Sequence, residues 1–82
     1  GLGMFIIRNG RIVYANPAIT RIYGYTEAEV LALPSYIQLT HPDDRERVAA
    51  NHLRRVRGET FENRYDISIL TKDGRRRGVE TT

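Results

Sequence analysis

Two short runs rich in β-branched and aromatic residues, MFII (residues 4–7) and RIVYA (residues 11–15), flank Asn9-Gly10. Both central positions of a type I′ turn need positive φ, which Asn and Gly adopt at least cost, so this dipeptide predicts a β-hairpin at the start of the chain. MFII is apolar on both sides of a period-two pattern. That predicts a strand buried on both faces or placed in the middle of a sheet.

A series of short helices follows. Asn16-Pro17 combines a good N-cap with a residue suited to the first helical position, and Ile19, Ile22 and Tyr23 then share one helical face. Gly24 supplies the left-handed residue that ends such a helix. Thr26 and Glu29 have the spacing of a capping box, opening a helix through Val30 and Leu31 that Pro34 closes. SYIQLT (residues 35–40) is ambiguous by pattern.

HPDDRERV (residues 41–48) gathers His41, Asp43, Asp44 and Glu46 within six positions. One reading is a metal or acid/base site. The other is a helix start, with Pro42 at the first position and the three carboxylates near the positive end of the macrodipole. Val48, Ala49, Leu53 and Val56 continue a helical stripe that Gly58 ends. The helix-start reading gives every acid a local role, whereas a metal would need ligands converging from elsewhere.

The remainder is β. In FENRYDISILT (residues 61–71), Tyr65, Ile67 and Ile69 fall on one face, and Arg64, Asp66 and Ser68 on the other, as in a half-exposed antiparallel strand. Lys72-Asp73-Gly74 predicts a hairpin turn, with RRRGVETT as the returning strand. The order is two strands, several helices, two strands: an α+β domain with an antiparallel sheet and helices on one side, spanning residues 1–82 as a single unit.

Composition removes several function classes. With no cysteine, disulfides, thiolate metal sites and cysteine nucleophiles are out. No apolar run approaches the roughly 20 residues of a membrane span, and no secretory leader is seen, so a cytoplasmic location is expected. The net charge of +3 draws on 13 basic residues, many of them late in the chain but interleaved with acids. RRRGVETT has no interleaved aromatic side chains, so a nucleic-acid partner is not expected. No nucleophile with its base, no phosphate-cradling glycine loop and no metal-ligand pair at working spacing is visible, so the chain does not read as an enzyme.

In their order and spacing, GRIVYANPAITRIYGYTEAEVL, HPDDRERV and GETFENRYDISILTKDGRRR resemble the PAS domain over nearly the whole chain. The resemblance implies an antiparallel sheet in the order 2-1-5-4-3, with helices on one face. It also implies a sensory and dimerisation role in bacterial signalling proteins, including two-component systems, upstream of an output domain such as a histidine kinase or a cyclic-dinucleotide enzyme. Two departures stand out. Gly78 occupies a fourth-strand position where the family often has an aromatic residue. The chain also ends at Thr82 with the fifth strand missing, which leaves central edges open to self-association, as a homodimer or by strand addition.

The resemblance also frames the ligand question. Without cysteine, the flavin–cysteine adduct of the photosensor branch is excluded, and AANHLRRVRG around His52 does not match a haem-binding pattern. The identity of any cofactor is left open. An inner face of Phe5, Ile7, Ile22, Tyr23, Ile37, Leu53, Tyr65, Ile67 and Ile69 is the candidate ligand pocket. Close packing of the same residues into a filled core, in a pure interaction module, is the alternative.

Overall fold

The computed structural model describes residues 2–60 and 65–81, with Tyr65 and Thr81 as backbone only. Strands β1 (Phe5–Arg8) and β2 (Arg11–Ala15) form the first hairpin. Asn9 and Gly10 both have positive φ, as the type I′ turn requires. The ladder carries one irregularity. Ile6 faces Tyr14 while Ile7 faces Ile12, so β2 has one extra residue and Val13 and Tyr14 are both exposed.

The expectation that MFII is buried on both faces is corrected here. Burial alternates along β1, with Phe5 and Ile7 turned to the core and Ile6 52% exposed. Among the described residues β1 pairs only with β2, and nothing covers the face that carries Ile6.

Helix α1 (Pro17–Tyr23) starts at Asn16, whose side chain accepts from the Ile19 amide, and ends at Gly24 in the left-handed region. Helix α2 (Glu27–Ala32) opens with both bonds of the Thr26/Glu29 capping box. The ambiguous SYIQLT segment is a 3-10 turn (Tyr36–Leu39), with its own box between Ser35 and Gln38. A second 3-10 turn (Pro42–Asp44) leads into α3 (Arg45–Val56). Asp43 and Asp44 therefore lie in a tighter turn just before the α-helix, and not in its first turn.

Strands β3 (Tyr65–Leu70) and β4 (Arg76–Thr81) form the second hairpin. Residues 61–64 of the strand expected from sequence lie outside the described residues. Leu70 pairs with Arg76, so the connection is five residues long instead of a two-residue Asp-Gly turn. Thr71 closes it: its carbonyl accepts from Gly74, its amide donates to the Arg75 carbonyl, and its hydroxyl accepts from the Arg75 amide. Of Asp73 and Gly74, only Gly74 takes positive φ.

The core lies between the hairpins. Ile12 and Ala15 of β2, Ile19 and Tyr23 of α1, Val30 of α2, Leu39 of the first 3-10 turn and Ile69 of β3 form one cluster. On one edge β3 pairs with β4. On the other, Thr40 bridges Ile69 and the His41 amide donates to the Ser68 carbonyl. Among the described residues the four strands make two separate two-stranded sheets, so β1 and β4 each keep one unpaired edge.

Candidate functional site

The expected inner face is largely brought together. Tyr23 and Ile69 are in the core cluster, and Phe5, Ile7, Ile22 and Ile67 pack against it, half-buried. Burial pushes the Tyr23 hydroxyl up to about 12, in keeping with a phenol held neutral among apolar neighbours. Ile37 is half-buried but is not among the residues packed on that cluster. Leu53 is 56% exposed, which corrects its placement on the inner face; Val56, next on the same expected stripe, is exposed too. The reason is where α3 is fastened. From α3 itself, Arg47 in the first turn reaches β3; Asp44 and the bridge at Thr40, which tie the same end to β3, lie just before the helix. The Tyr65 side chain lies outside the described residues. Sequence reading missed Ile12, Ala15, Val30 and Leu39 as core members, although Val30 and Leu31 lay on a recognised helix.

The HPDD segment acts as a clamp. His41 Nδ1 accepts from the Asp43 amide at 3.1 Å, capping the second 3-10 turn. Asp43 holds Arg76 of β4 at 2.9 Å. Asp44 accepts from the Ser68 amide at 2.6 Å, and Arg47 reaches the Asp66 carbonyl at 2.5 Å. Among the described residues, no three His, Asp or Glu side chains form a group that could hold a metal ion. His52, the histidine weighed against a haem, has its ring 4.9 Å from that of Tyr36.

The Ser68 amide, followed by nearby Arg47 and Arg76, holds the Asp44 carboxyl below the usual carboxylate range. A carboxyl with a depressed folded-state pKa contributes stability that is complete above its unfolded value and lost as pH falls through the folded value. Asp44→Asn keeps an acceptor but loses the charge. Its melting temperature is expected to fall below wild type near neutral pH, and the gap is expected to close on acidification. Thermal melts across that range check this; a gap independent of pH would remove ionisation from the account.

A second long-range tie joins α2 to the β3–β4 turn. Lys72 Nζ meets Glu29 Oε2 at 2.5 Å, across 43 positions of chain. Lys72, joined by the Thr26 amide, pulls the Glu29 carboxyl down to about 2. One side chain thus completes the α2 capping box and anchors the second hairpin. The motifs GYTEAE and KDG, far apart in sequence, meet in space. A model of the PAS fold matches residues 2–82. The chain belongs to the PAS family.

This PAS domain is 39% identical over 64 residues to the sensor histidine kinase TmoS of Ectopseudomonas mendocina. The match takes in 78% of the chain but 6% of that protein. Among solved structures, a domain of a sensory box sensor histidine kinase/response regulator from Geobacter sulfurreducens superposes with a TM-score of 0.70 at 35% identity. That match covers 87% of this chain and 60% of the other. The PAS domain is thus a relative of sensory signalling modules of histidine kinases. Among its described residues, no helix is long and apolar enough to cross a membrane.

Proposed function

We propose that this PAS domain is a cytoplasmic sensory module that relays its state to an output domain, such as a histidine kinase, elsewhere in a larger parent protein. The observation that carries this reading is the match to one small part, 6%, of a sensor histidine kinase. Relay needs a two-state element, and an input moves it only by favouring one state over the other.

The unpaired edges of β1 and β4 favour strand pairing as that element. A strand from a second copy or from the parent chain would join the hairpins, through backbone bonds that these edges leave unfilled among the described residues. The core favours an interaction input as well, since Val30 and Ile69 are 0% exposed. A second reading has its own support. Phe5, Ile7, Ile22 and Ile67 are only half-buried around the cluster, and with Tyr23 and Ile69 they would line a site for a small apolar ligand.

Native mass spectrometry over a concentration series, with hydrogen exchange, separates the two. Strand pairing predicts a ligand-free dimer at high concentration, with added protection in β1 and β4. Extra mass that vanishes on denaturation would favour the ligand reading. A bare monomer at every concentration would count against pairing between copies.

A further inference from the structure

An open cleft of about 590 Å³ lies where the end of α1 meets the β3–β4 turn. Arg21, Lys72, Arg75 and Arg77 line it, against a single carboxylate, Asp73. Glu29, outside the lining, offsets Lys72, so four cations meet two carboxylates at this end of the molecule.

The cations are placed there by the fold. Alternation along β4 sends Arg76 to Asp43 and Ser68 on one face, and Arg77 to the Ile22 carbonyl on the other. The carboxyl end of a helix ordinarily repels anions. Here three of the last four carbonyls are already occupied: Thr20 by the Gly24 amide, Ile22 by Arg77 and Tyr23 by the Lys72 amide. Lys72 is engaged laterally by Glu29, and Arg75 by Asp73 through Nε alone. A guanidinium has five N–H donors, so Arg75 and Arg77 each keep donors after these bonds. Arg21 has no ion-pair partner among the described residues. Ile22 adds an apolar wall.

The geometry points to a binding site for a small multivalent oxyanion of the phosphate class, held by Arg21, Arg75 and Arg77 on the outside of the domain. Forked guanidinium donors match phosphate oxygens two at a time, which a diffuse positive surface does not. The cleft volume falls within the range of about 300–1,000 Å³ usual for small-molecule sites. The site is separate from the inner face and stands whether or not that face takes a ligand.

Titration of the 82-residue chain with sodium pyrophosphate, by calorimetry and amide NMR, tests it. Saturable one-to-one binding is expected, with shifts confined to residues 21–24 and 71–77. Arg21→Gln and Arg77→Gln are each expected to weaken it about tenfold, the order of one charge-assisted bond. Arg8→Gln, on the far hairpin, is expected to leave it unchanged. Arg21 is exposed and, among the described residues, its side chain makes no hydrogen bond, so its variant tests the site even if Arg77→Gln disturbs the fold. Absence of saturation at millimolar pyrophosphate, or equal weakening by Arg8→Gln, would overturn the proposal.

Discussion

Ile69→Ala is expected to destabilise the domain by about 2–5 kcal/mol, the range for emptying a buried isoleucine site. Ile69 has no exposed surface and belongs to a core cluster drawn from five elements. Its strand pairs with β4 on one edge and with Thr40 on the other, so the backbone is held from both sides and cannot collapse into the space left. At the usual stability per residue, a chain of 82 residues has roughly 4–12 kcal/mol in all. The substitution therefore removes a large share of the total. Urea denaturation should show a lower midpoint with an unchanged slope. Ile67→Ala is the comparison: Ile67 lies on the same face of β3 but is half-buried, so its loss should be smaller. Equal effects at the two positions would mean that Ile69 is not the joint between β3 and the helices.

That joint marks the limit of what the sequence discloses. Asn9-Gly10, Asn16-Pro17 and the Thr26/Glu29 box are local devices, each written within four residues, and all three are found where the sequence places them. The alternation of β3 correctly puts Ile69 inside. The failures are non-local. Nothing in MFII tells whether its second face will be covered, and Ile6 is exposed because nothing among the described residues lies over it. The α3 stripe predicts that Leu53 is buried, but burial depends on where the helix is fastened, and that is set by Asp44 and Ser68, 24 positions apart. The basic cleft is the extreme case. Arg77 and Ile22 are 55 positions apart, and weighing residues 75–77 by themselves misses Arg21 and Lys72, which complete the lining.

Asn16→Ala is expected to cost about 2–3 kcal/mol, more than a helix cap alone, for which about 1 kcal/mol is typical. Asn16 Oδ1 accepts from both the Ile19 amide at 3.2 Å and the Met4 amide at 3.0 Å, while Nδ2 donates to the Leu2 carbonyl at 2.8 Å. One side chain thus starts α1 and ties down the segment before β1. That segment passes close over the helix: a Cβ added at Gly3 would come within 2.9 Å of the Ile19 and Ile22 side chains. Alanine leaves three backbone groups without this partner, whereas the carboxylate introduced by Asn16→Asp would restore both acceptor roles but set its second oxygen against the Leu2 carbonyl. Asn16→Asp should therefore recover only part of the loss in chemical denaturation. In hydrogen exchange, the Met4 and Ile19 amides should lose protection together in Asn16→Ala and regain it together in Asn16→Asp. Loss at Ile19 alone would reduce Asn16 to an ordinary cap and leave the opening segment held by the packing of Gly3 against α1.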